Sequence, residues 1–184
     1  MGKTAIVVLA EGFEEVEAVA PIDILRRAGV RVTIVGANSK SVKSSRGIVV
    51  QADCLLDEIK DLPDAVVLPG GLPGATNLAK AAGLAAFLKK MNEAGKLIAA
   101  ICATPAVVLA PLGILDGKKA TCYPGCERDF SSKTVHSKER VVKDGNLITS
   151  QGPVTAIEFS LEIVRELVSS EMAGTLREKM VIRA

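Results

Sequence analysis

The chain alternates between short apolar runs and longer stretches in which apolar residues recur every three or four positions. "TAIVVLA" (Thr4 to Ala10) is rich in β-branched residues and has no polar face, which predicts a strand buried on both sides. Roughly Glu14 to Ala28 follows a helical period and is stopped by Gly29. "VRVTIVG" predicts the next strand, and "SVKSSRGIVVQA" alternates and turns as a hairpin or small antiparallel addition does. "DAVVLPGG" predicts a third buried strand ending in Pro-Gly-Gly, followed by helical material from about Gly74 to Glu93. "KLIAAI" predicts a fourth buried strand that ends at Cys102. "KKATCYP" and "NLITSQGP" predict further strands, and "VVKDGNLI" a hairpin around Asp144-Gly145. "PVTAIEFSLEIVRELV" is strongly amphipathic, with Pro153 near its first turn, and a shorter helix spans about Glu171 to Met180.

Strands alternating with helices predict an α/β fold, a mostly parallel sheet covered by helices on both faces. No linker, repeat or low-complexity segment divides the 184 residues, so residues 1–184 are expected to form a single domain. Ligands of such sheets bind beyond the C-terminal ends of the strands, where the winding direction reverses. Three loops therefore matter: those after Ala10, Leu68 and Ile101.

Composition narrows the classes. The net charge of +2, with Lys and Arg scattered among acids, gives no basic stripe for nucleic acid. The uncharged stretch from Leu97 to Leu115 has the length of a membrane span, but Pro105, Pro111, Gly113 and many alanines favour a buried strand, a turn and a buried helix. No signal peptide is visible and no membrane partner is expected. Four cysteines (Cys54, Cys102, Cys122, Cys126) are too few for a disulfide framework in a chain of this size, so reduced thiols and a cytoplasmic setting are expected.

Cys102 carries the chemistry. A strand that turns sharply into a helix exposes the residue at the corner, and the crowded turn needs small neighbours. Ala100, Ala103 and Thr104 are small, and Pro105 suits the first turn of a helix. At such a helix N-terminus, amide dipoles favour a thiolate. Glu17 is the second element. Positions 17, 20, 21, 24, 25 and 28 share one helix face, so Glu17 heads an apolar stripe of Ala20, Pro21, Ile24, Leu25 and Ala28. Burial there would raise its pKa and keep a proton available to the thiolate. Pro21 should distort the helix locally. Gly70 and Gly71, after the third strand, leave their amides open to an oxyanion, as does the amide of Ala103.

Other residues offer less. The only histidine, His136, falls in a loop or edge strand and reads as solvated, which leaves Cys-His catalysis without a base. Cys122 and Cys126 are four apart, but no second Cys or His pair completes a zinc site, so no metal is expected. Cys122, in "TCYP", could approach the same sheet edge as an ordinary reduced cysteine or a resolving thiol. "GLPGA" matches no phosphate loop, and no cofactor is expected.

"EGFEEVEAVAPIDILRRAG", "VVLPGG", "AAICATPAVVLA", "TCYP" and "TSQGPVTAIEF" together resemble the ThiJ/PfpI superfamily, and within it the DJ-one-like clade, over nearly the whole chain. The resemblance implies a flavodoxin-like three-layer sandwich that forms a homodimer. It implies that Cys102 is the reactive, easily oxidised cysteine and that Glu17 is the protonated acid against its sulfur. Gly71 and Ala103 match positions whose amides face the sulfur, and Pro153 matches a proline lining the pocket. Arg27 and Arg46 match arginines near the dimer contact and an anion pocket. Ala103 stands where protease-like relatives have His, which disfavours proteolysis. Tyr123 stands where a His is found in the clade, and Val154 replaces a glycine and could narrow the pocket.

The resemblance implies a cofactor-independent glyoxalase, or a deglycase of early glycation adducts, acting on small dicarbonyls such as methylglyoxal. The alternative is a redox sensor or chaperone in which Cys102 oxidises to sulfinate and catalysis is incidental.

Overall fold

A computed structural model describes residues 2–182. The elements in chain order are β1 (Thr4–Leu9), α1 (Glu15–Arg27), β2 (Arg31–Gly36), β3 (Ser41–Lys43), β4 (Val49–Gln51), β5 (Cys54–Leu55), β6 (Ala65–Leu68), α2 (Gly74–Ala79), α3 (Leu84–Glu93), β7 (Leu97–Ile101), β8 (Lys119–Ala120), β9 (Val135–His136), β10 (Val141–Asp144), β11 (Leu147–Ser150), α4 (Ala156–Leu167) and α5 (Ser170–Lys179). Among the described residues, a seven-stranded sheet runs in the order β10-β11-β7-β6-β1-β2-β5. Every neighbouring pair is parallel except β10 with β11.

Side-chain alternation along the strands builds two cores. Val7, Leu9, Val67, Ala99 and Ile101 face α1, α4 and α5, where Ile24, Leu25, Phe159 and Val164 meet them. Ile6, Val8, Val66, Leu68, Ile98 and Ala100 face the other way, onto Leu78, Leu84, Leu88 and Met91 of α2 and α3. The expected parallel sheet with helices on both faces is what the chain forms. No helix among the described residues is long and apolar enough to cross a membrane.

The differences from expectation have local causes. The helical stretch from Gly74 to Glu93 is two helices, broken where Gly83 turns left-handed (φ 80°) at the start of α3. After Cys102 the chain forms not a long α-helix but a π turn, Pro105–Leu109, and a 3-10 turn, Ala110–Leu112. Pro105 and Pro111 each remove an amide donor, so a regular helical ladder cannot be completed. The strand expected in "KKATCYP" shrinks to β8, which pairs with β9 rather than the main sheet. The Thr121 N–H instead donates to the Thr149 hydroxyl (2.9 Å). The edge strand β5 was not expected; two residues are too few to show a period. α1 runs through Pro21 without a break, and Pro21 is buried on its inner face. It has no N–H to offer the Glu17 carbonyl one turn earlier.

The winding reverses between β1 and β6: the chain leaves β1 toward β2 on one side, while β6 and β7 lie on the other. The loops after β1, β6 and β7 therefore share one edge, beside that reversal.

Candidate active site

Three sharp turns meet at this edge. Cys102 follows directly on β7 with φ at 66°, in the left-handed region where a side chain is strained by about 1–3 kcal/mol. The surroundings fix that conformation. The Cys102 N–H donates to the Ser150 carbonyl (2.9 Å), its own carbonyl accepts from the Tyr123 N–H (2.8 Å), and the Thr104 hydroxyl donates to the Pro69 carbonyl (2.8 Å). The elbow expected from the sequence is present. Thr104, expected from the sequence only as a small neighbour of the cysteine, also ties the elbow to the Pro69-Gly70 turn through its hydroxyl.

Glu17 arrives from the first turn of α1. Glu14 caps that helix, its carboxylate accepting from the Glu17 N–H (2.8 Å). The Glu17 side chain is 0% exposed, and its Oε2 accepts from the Gly70 N–H (2.8 Å). Gly70 returns the link, its carbonyl accepting from the Glu14 N–H (3.0 Å). The Cys102 thiol lies against the same carboxyl. Among the described residues, Glu17 Oε1 has no conventional hydrogen-bond partner.

Closeness requires the glycines. A Cβ on Gly70 would lie 2.5 Å from the Cys102 Cβ and 2.8 Å from Glu17 Oε2. Gly71 has φ at 90°, and a Cβ there would meet the Glu14 nitrogen at 2.6 Å.

The electrostatics follow from this crowding. Burial pushes the Glu17 carboxyl up to about 7, against the Gly70 amide, which stabilises the anion. Burial and then the Glu17 charge push the Cys102 thiol up to about 12, while the amides of Gly71 and Ala103 pull it down. Burial beside an anionic Glu17 opposes the thiolate that an adjacent helix N-terminus would favour. The following segment is a short π turn, so its dipole is weak, and two amides do not outweigh burial beside an anion. The pair titrates as a unit: a thiolate here requires the proton to sit on Glu17.

Pro153 follows Gly152, which packs beside the site; a Cβ on Gly152 would lie 3.4 Å from the Tyr123 ring and 4.0 Å from Glu17 Oε1. Tyr123 is 49% exposed, at the rim. Val154 is 83% exposed, so it points to solvent and does not narrow the pocket, contrary to expectation. Arg46 lies in the β3–β4 turn, where its N–H donates to Glu15 Oε1 (2.6 Å). Arg27 sits at the far end of α1, about 15 Å along the axis from Glu17, and is paired with Asp23 (2.7 Å). Neither arginine joins the Cys102 cluster within the chain. A cleft of about 470 Å³ opens at the opposite, N-terminal end of the strands, lined by Lys3, Asp64, Lys96 and Glu166. No cysteine, serine or histidine is among the residues lining it.

His136 is exposed, its ring against the edge of Phe130 (6.0 Å between centroids). The structure nevertheless brings it within 4.8 Å of Cys122 and Glu127, measured between ligating atoms. Glu127 was missed as a candidate, because its partners are five and nine residues away in sequence and on different segments.

A doubly covered parallel sheet with a strained cysteine at the winding reversal and a buried acid against its sulfur defines the cysteine-elbow class of α/β proteins. Within that class the chain belongs to the DJ-1/PfpI family, whose model matches residues 3–166. It is 42% identical over 187 aligned residues to the Parkinson disease protein 7 homolog of Danio rerio, covering 99% of this chain and 98% of that one. It is 34% identical to the glutathione-independent glyoxalase DJR-1.2 of Caenorhabditis elegans, covering 98% and 97%. Among solved structures, Drosophila melanogaster DJ-1beta superposes with a TM-score of 0.95 at 40% identity, covering 100% of both chains.

Proposed function

We propose that the protein is a glutathione-independent glyoxalase converting methylglyoxal-like dicarbonyls to hydroxy acids. The observation that carries this is the Cys102–Glu17 pair, a nucleophile and an acid sharing one proton in a buried site. The relative named a glutathione-independent glyoxalase supports the reading. The thiol proton passes to Glu17 as sulfur bonds to the aldehyde carbon, and the amides of Gly71 and Ala103 stabilise the oxyanion. That oxyanion takes up a proton to give a hemithioacetal. Glu17, as carboxylate, then removes the proton from the former aldehyde carbon and returns one to the neighbouring carbon, which leaves a thioester on Cys102. Water cleaves the thioester, releasing the hydroxy acid and restoring the thiol. Wild-type protein with methylglyoxal, without glutathione and with a chelator present, should form lactate in proportion to protein. Lactate at the buffer rate, or undiminished lactate from protein whose thiols are fully alkylated, would defeat the proposal.

The same proposal includes a homodimer. An apolar groove beside α1 is lined by Val16, Val19, Ala20, Ile24, Ile157 and Met180, with Val16 and Val19 about half exposed. An exposed apolar face of this kind suits a twofold contact with a second copy. Sedimentation should give twice the chain mass, and Val19→Glu should shift it to the monomer. A monomeric wild type would rule the dimer out.

A further inference from the structure

Cys122, Glu127 and His136 lie outside the Cys102 machinery and come from three segments. Cys122 is just beyond β8, Glu127 opens a 3-10 turn (Glu127–Asp129), and His136 is in β9, paired with Ala120 of β8. The strand pairing brings His136 alongside the chain two residues before Cys122, and the turn folds Glu127 back over both. Their ligating atoms all lie within 4.8 Å of one another. Tetrahedral zinc, with bonds of about 2.0–2.3 Å, holds its ligands about 3.5 Å apart, so a small side-chain adjustment closes the set.

We propose that Cys122, Glu127 and His136 form a binding site for a borderline divalent transition metal of the zinc type, with water in the fourth position. Thiolate, imidazole and carboxylate are the ligand types zinc takes, whereas magnesium and calcium take oxygen. The supports are already in place. The Gly125 N–H donates to Glu127 Oε2 (2.6 Å), and the Phe130 ring packs at the His136 imidazole. Glu127 brings a carboxylate close to the buried Cys122 sulfur, and a divalent cation between them would offset that negative charge. Cys122 is buried, Glu127 half-buried and His136 exposed, so entry is from the histidine side. Because the Tyr123 N–H bonds the Cys102 carbonyl (2.8 Å), the loop a metal would fix is also the rim of the reactive site.

Cobalt(II) is the probe, because thiolate ligation gives it a charge-transfer band in the near ultraviolet and tetrahedral geometry strengthens its visible bands. Titration of fully reduced protein should saturate at one cobalt per chain, and zinc should displace it. The charge-transfer band should vanish in Cys122→Ser and persist in Cys102→Ser. His136→Gln, an exposed change that leaves the fold intact, should weaken binding at least about tenfold. No charge-transfer band in wild type would overturn the proposal. So would a band that survives Cys122→Ser, disappears in Cys102→Ser, or is unaffected by His136→Gln.

Discussion

Cys102→Ser is expected to lower kcat/KM for methylglyoxal at least about 10³-fold, equivalent to about 4 kcal/mol of transition-state stabilisation. The reason is the site's own chemistry. Burial and the neighbouring acid push even a thiol up to about 12, and a serine hydroxyl is intrinsically far harder to ionise. A serine nucleophile needs a strong base within reach, and the chain's only histidine, His136, is exposed and grouped with Cys122 and Glu127. The substitution is nearly isosteric and retains the left-handed backbone at position 102, so thermal unfolding should change little. Steady-state lactate formation checks the claim; activity within tenfold of wild type would remove Cys102 from the mechanism. The same pair of proteins addresses the redox reading. Peroxide should add two oxygens to the wild-type peptide bearing Cys102, before Cys54 or Cys126 reacts, and none to that peptide in the variant.

Glu17→Gln should produce the second large effect, a loss of about 10²–10⁴ in kcat, because the glutamine keeps the shape and loses the transferable proton. It should also change how stability depends on pH. The folded protein holds the Glu17 carboxyl up at about 7, from an ordinary value of 4.5. Between those values the folded state keeps a proton that the unfolded chain releases, so wild-type stability falls as pH rises. The contribution is present in full below about pH 4.5 and is lost as pH passes through 7, amounting to about 3 kcal/mol. The glutamine variant has no such loss. Its Tm relative to wild type should therefore climb between pH 5 and pH 8, and parallel Tm profiles would show that Glu17 ionises as easily folded as unfolded.

Much of this arrangement was legible in the chain. The apolar runs of β1, β6 and β7 are buried on both faces, and such strands need a covering layer on each side. Glu17 was visible because a carboxylate at the head of an apolar helical stripe has only the protein interior to enter. Proline was read less well. Pro21 leaves α1 whole, since packing on both sides of the missing bond holds it, while Pro105 and Pro111 together prevent a regular helix. The thiol's upward shift was illegible because it depends on a distance: only the folded chain sets Cys102 against Glu17. The Cys122–Glu127–His136 cluster was hidden for the same reason. Its members share no helical or strand spacing and meet through β8–β9 pairing, too short to leave a pattern.

The missing side chain at Gly70 also bears on how such a site can diversify. Any Cβ there would run into the nucleophile's own Cβ and the acid's oxygen at once, so the floor of the site has no neutral neighbours in sequence space. Substrate range would have to evolve at the rim, where Tyr123 and Val154 face solvent and can vary without disturbing the pair beneath. A saturation scan should accordingly show near-complete intolerance at Gly70 and Gly71 beside broad tolerance at position 154, a sharp boundary between inherited chemistry and adjustable selectivity.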